Sequence, residues 1–132
     1  MTTRHASCSC GQIRVTCEGD PVRISMCHCL ACQQRTGSVF GVQARFKREH
    51  VTLGGETSTF VRTGDSGGRS TFHFCPTCGS TVWWEFDAAP ELIAVAYGAF
   101  ADPSLPPPTV SVYEERQHPW TVMPTLDVEH IH

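Results

Sequence analysis

Seven of the eight cysteines fall in three short clusters: Cys8-Ser9-Cys10, Cys27-His28-Cys29-Leu30-Ala31-Cys32 and Cys75-Pro76-Thr77-Cys78. Thiols two or three residues apart can aim both sulfurs at one ion from a single tight turn. Zinc takes four such sulfurs as a tetrahedron. Seven sulfurs fill one closed site of four and leave three over. Three protein ligands with the fourth position open is how a catalytic zinc is built.

The outer pairs, Cys8 with Cys10 and Cys75 with Cys78, are expected to hold a structural zinc that staples the N-terminal end to the middle of the chain. Spacing alone permits other pairings. Cys27, Cys29 and Cys32 are expected to hold a second zinc with one face open. On a strand Cys27 and Cys29 share a face and His28 points away, while Cys32 curls back through a short turn. Three other readings stand beside this one: Cys17 as a fourth ligand, His28 as a ligand, or three plain thiols. Cys17 sits on the apolar face of a strand pattern, where a buried cysteine acts as a small hydrophobe. His28 suits a flanking role, such as carrying protons.

Those turns need strands to hold them. Apolar residues recur every second position at Ile13–Cys17, Val22–Met26 and Phe40–Phe46, the pattern of half-buried strands. Further strands are expected over 57–62, 70–74, 81–86, 92–98 and 109–114. One short helix is expected over Leu30–Arg35, stopped by Gly37. Gly64–Gly68 reads as a hairpin turn, and the proline-rich segment 102–108 as a stiff connection. Gly11 and Gly79 each follow a cysteine pair and let the chain curl so that backbone N–H groups point at sulfur. The fold class is all-β: a small domain of antiparallel sheets with zinc-bound turns, spanning residues 1–132.

A formal charge of −3 gives no reason to expect nucleic acid. Arg45, Lys47 and Arg48 read as a solvated strand end rather than a phosphate patch. No stretch reaches membrane-spanning length and no secretory signal is seen in Met1–Cys10, so a cytoplasmic location is expected. Reduced thiols there favour metal over disulfides.

The ordered motifs Cys8-Ser9-Cys10-Gly11, Cys27-His28-Cys29-Leu30-Ala31-Cys32 and Phe74-Cys75-Pro76-Thr77-Cys78-Gly79-Ser80 resemble those of the glutathione-dependent formaldehyde-activating enzymes, a family that includes centromere protein V. Gly37-Ser38, Gly55 and Pro119-Trp120 extend the likeness, which runs from about Cys8 to Trp120. The resemblance implies an Mss4-like fold of several coiled β-sheets. It implies a structural zinc on Cys8, Cys10, Cys75 and Cys78, and a catalytic zinc on Cys27, Cys29 and Cys32. It also implies a carbon–sulfur lyase that joins glutathione to formaldehyde as S-hydroxymethylglutathione, and reverses the step. The alternatives from other classes are a non-catalytic zinc module that binds a protein partner and a thiol redox sensor.

Glutathione carries two carboxylates, so its site needs cations; Arg35, Arg45, Lys47, Arg62 and Arg69 are the candidates, with surface solvation as the simpler role. Trp83, Trp84, Tyr97, Phe100 and Trp120 can stack on a ligand, though packing is the commoner role. Adjacent on a strand, Trp83 and Trp84 face opposite ways, so one belongs to the main core and the other to a surface or pocket. His73 is read as an outward-facing strand residue rather than a support for the structural site. His130 and His132 are read as a disordered tail.

Overall fold

The structure is a computed structural model that describes residues 1–64, 66–121 and 126–131. Its strands are β1 (Thr3–Ser7), β2 (Arg14–Glu18), β3 (Arg23–Cys27), β4 (Gly41–Lys47), β5 (Val51–Gly54), β6 (Ser58–Thr63), β7 (Arg69–Phe74), β8 (Thr81–Phe86), β9 (Ala89–Ala96), β10 (Val110–Val112) and β11 (Glu129–Ile131). A single α-helix among the described residues, α1 (Leu30–Thr36), follows β3 and is capped by Gly37 in the left-handed region. A three-stranded sheet has the order β1-β2-β5, and an eight-stranded sheet the order β11-β10-β3-β4-β9-β8-β7-β6. The expected all-β class is therefore present. Most neighbours run antiparallel, but β10 pairs parallel with both β3 and β11.

Alternation along each strand decides where the core lies. Ile24, Ala44, Phe46, Ile93, Val95 and Trp83 turn one face of the large sheet toward Ala6, Val15 and Cys17 of the small one. Phe46, Ile93 and Val15 are wholly buried, each contributing about 1.5–3 kcal/mol of transfer free energy. The opposite face of the large sheet carries a smaller cluster of Phe72, Trp84 and Ala94, flanked by Phe86 and Ala96. Trp83 and Trp84 do face opposite ways, and each is buried in its own cluster. Trp84 thus has a core of its own on the second face.

Four elements differ from expectation. β1 and β5 were not anticipated, because only Ala6 of β1 is buried and β5 is nearly all exposed, which leaves little alternation to read. The terminal segment is ordered rather than disordered: Glu129–Ile131 adds β11 to the sheet edge, and His130 Nδ1 lies 2.6 Å from Glu114 Oε2. His132, and Asp65 at the expected β6–β7 turn, lie outside the described residues. β10 is shorter than expected, giving way to a 3₁₀ turn at Glu114–Arg116.

Candidate functional site

The β1–β2 connection carries Cys8 and Cys10, and the β7–β8 turn carries Cys75 and Cys78. Their four sulfurs all lie within 4.8 Å of one another. Cys8 Sγ to Cys10 Sγ and Cys10 Sγ to Cys75 Sγ are each 3.6 Å. Zn–S bonds of about 2.3 Å set tetrahedral sulfurs about 3.8 Å apart, so the donor set fits a zinc ion. Backbone amides are aimed at the sulfurs. Ile13 N donates to Cys8 Sγ at 3.2 Å, and Thr77 N and Cys78 N to Cys75 Sγ at 3.4 Å. Gly11 and Gly79 sit at positive φ in these turns, which lets the chain fold back on its own sulfur. The Ser80 hydroxyl, helped by backbone N–H groups, holds the Cys78 thiol down to about 5. Ser9 and Ser80 hydroxyls, 3.0 Å apart, tie the two turns together.

The second group is built where β3 ends and α1 begins. Cys27 is the last residue of β3, Cys29 caps α1, and Cys32 lies in its first turn. Cys32 N donates to Cys29 Sγ at 3.3 Å, so the cap itself presents a sulfur. The three sulfurs lie within 4.8 Å of one another, and no other His, Cys, Asp or Glu among the described residues joins them. Cys27 and Cys32 are buried and Cys29 is half-buried. Hydrogen bonding from Cys27, then from Cys29 and with Arg35 alongside, brings Cys32 down to about 5, while Cys27 is pushed up. The thiolate is the form of cysteine that binds metal, and Cys32 is the member of the group shifted toward it.

Cys17 belongs to neither group. It is wholly buried in the main core, and burial raises its thiol to about 12. His28 is also buried, outside the sulfur group, with Nε2 3.1 Å from Ser111 Oγ and its ring against Phe40. Burial lowers its basicity. His73 is not an outward-facing strand residue. It stacks on Trp83 with ring centroids 3.6 Å apart and bonds Thr57 and Glu85. Phe100 is core, Tyr97 bonds the carbonyl of Pro106, and Trp120 is exposed.

Of the candidate cations, Arg35, Arg45 and Arg62 lie over aromatic rings, whereas Lys47 and Arg69 are simply exposed. Arg48 pairs with Glu85 at 2.8 Å. Arg23, for which the sequence offered no signal, stands directly opposite Arg45 across β3 and β4.

A family model for the glutathione-dependent formaldehyde-activating enzymes matches residues 3–116. The chain belongs to that family. Membership supports a function involving glutathione and formaldehyde, and both cysteine groups could hold a metal ion. No curated protein matches the chain. A solved structure, that of a Rhodobacter sphaeroides protein, is similar in fold at a TM-score of 0.56 and 17% identity, over 78% of this chain and 91% of that one. No helix among the described residues is long and apolar enough to cross a membrane.

Proposed function

We propose that the whole chain, residues 1–132 with a core from about Cys8 to Trp120, is one zinc-binding unit with carbon–sulfur lyase activity. Its reaction is the reversible addition of glutathione to formaldehyde. One C–S bond forms, the carbonyl π bond opens, and the thiol proton ends on the former carbonyl oxygen. No oxidant or reductant is needed.

The observation that carries this reading is the contrast between the two sulfur groups. Cys8, Cys10, Cys75 and Cys78 bring four sulfurs together, the number a closed tetrahedral structural site uses. Cys27, Cys29 and Cys32 have the same chemistry with one ligand fewer among the described residues. Cys27, Cys29 and Cys32 would hold a zinc ion there, which would supply stabilisation of an incoming sulfur as thiolate or polarisation of an aldehyde oxygen. The chain's own residues fix that geometry. The Cys29 cap sets the start of α1, and the Gln33 side chain bonds the His28 carbonyl at 2.9 Å and holds the turn. The same reading takes the thiols as kept reduced, as in the cytoplasm.

The test is a metal count followed by exchange spectroscopy. Protein carrying two zinc ions is mixed with glutathione and formaldehyde, and adduct exchange is followed by proton NMR. Faster exchange than in buffer is expected. Exchange no faster than buffer, with both ions present, removes this substrate pair.

A further inference from the structure

The second face of the large sheet continues away from Cys27, and it is built like a receptor for anions. Cross-strand register aligns Arg23, Arg45, Ala94, Trp84, Phe72 and Phe60 in one row across the sheet. Cys27 and its partner Gly41 lie on the same face, four residues along β3 and β4 from the arginine pair. That separation is about 13 Å between backbones, a gap that arginine side chains and an extended tripeptide can span. Arg62 comes from β6 and Arg35 from α1.

Three features of this face make little sense for a protein facing only water. First, like charges placed directly opposite in a sheet repel, yet Arg23 and Arg45 are such a pair and both are half-buried. Second, among the described residues none of Arg23, Arg35, Arg45 and Arg62 has a carboxylate partner. Every ion pair found lies elsewhere. The Nε atoms of Arg23 and Arg35 are buried and find no acceptor. Third, the guanidinium groups are held in place. Arg35 lies 4.5 Å from the centre of the Trp84 ring and 5.5 Å from that of Phe72, Arg62 lies 5.2 Å from Phe72, and Arg45 4.6 Å from Phe86. Stacking on rings orients a guanidinium while its N–H edge serves polar partners. Arg45 Nε gives one bond to Gln43 Oε1 at 3.3 Å and Arg35 one to Cys32, and the remaining N–H groups are left for a ligand.

Gly41 shows how closely Arg35 is seated. A Cβ there would come within 2.9 Å of Arg35 Nη2 and 3.5 Å of Cys32 Cβ. The glycine opens the space in which the guanidinium sits between sheet and thiols.

We propose that Arg23, Arg35, Arg45 and Arg62 form the anion-binding half of the site, taking the carboxylates of a small peptide thiol whose sulfur reaches Cys27, Cys29 and Cys32. The identity of that thiol as glutathione rests on the function proposed above; the anion site itself rests on the arginines. Arg23 and Arg45 act on the carboxylates directly and set specificity. Arg35 joins the two halves, because it lies beside both Cys32 and the aromatic floor.

S-Methylglutathione separates the two proposals, since it keeps both carboxylates and has no free thiol. The zinc-loaded protein is titrated with it by amide NMR, alongside its diester and sulfate. Saturable shifts at Gly41, Gln43 and Arg45 are expected for the diacid. The diester is expected to bind about tenfold or more weakly. Arg45→Gln and Arg23→Gln should each weaken the diacid by about tenfold, Arg45→Lys by less, and Arg69→Gln not at all. Thermal melts confirm that each variant is folded. Equal binding of diacid and diester, or binding unaltered in folded Arg45→Gln and Arg23→Gln, overturns the proposal. A response to sulfate with none to S-methylglutathione overturns the assignment to carboxylates. If binding follows the arginines but glutathione and formaldehyde show no accelerated exchange, the anion site stands and the lyase reading falls.

Discussion

Cys75 and Cys29 bear the same thiol in different settings, and the same substitution should act on them differently. Cys75 is wholly buried, accepts two backbone N–H bonds and joins sulfurs from two distant turns. Structural zinc binding supplies about 10–16 kcal/mol of apparent free energy, as much as a domain's whole stability of about 5–15 kcal/mol. Cys75→Ser is therefore expected to give an unfolded or aggregated protein by circular dichroism. Cys29 bridges only neighbours at the start of α1. Cys29→Ser is expected to stay folded, to lose one zinc by metal analysis, and to lose accelerated exchange. Equal collapse of both variants would mean that both ions are structural.

At the scale of elements, β8 carries two neighbours with opposite demands. Trp84 is buried on the second face beneath Arg35, and Trp84→Ala is expected to cost about 3–5 kcal/mol in chemical denaturation. Glu85 is about a third exposed and links Arg48 to His73. Glu85→Gln is expected to cost about 1 kcal/mol or less, because an exposed pair gains little over water. A larger loss from Glu85→Gln than from Trp84→Ala would show that the polar links, not the second aromatic cluster, hold β7 to β8. The same contrast explains what could be read beforehand. A strand with one buried face, such as β4, announces itself by alternation, β8, buried on both faces, by its run of β-branched and aromatic residues, and Gly37 marks the end of α1. β1, β5 and β11 bury almost nothing and are held by backbone pairing, which leaves no trace in residue type. The joining of the two outer cysteine pairs was not fixed by spacing, but the pairs themselves and the trio were legible because their members lie close in sequence. The arginine face was not, because Arg23 and Arg45 meet only through the register of β3 on β4, and Arg62 reaches Phe72 only after β6 and β7 pair.

For the whole molecule, the labour is divided, on the proposed reading, between the two sulfur groups: one holds the fold and the other leaves a position for a ligand. Cys10 and Cys75 are separated by 65 residues, so an ion across them closes a long loop and fastens the small sheet to the β7–β8 turn. A covalent cross-link over that span would remove about 4 kcal/mol of chain entropy from the unfolded state, and a bound ion acts in the same direction. The group at Cys27, Cys29 and Cys32 spans only the turn into α1 and could offer three ligands instead of four. Graded addition of a chelator to the two-zinc protein should therefore release metal in two phases. The first equivalent should leave with the accelerated exchange, while the circular dichroism of the sheets is unchanged. The second should leave together with a cooperative loss of that signal. Release of both ions in a single step with unfolding would place the three-sulfur group inside the structural staple, and the proposed division between scaffold and reaction centre would fail.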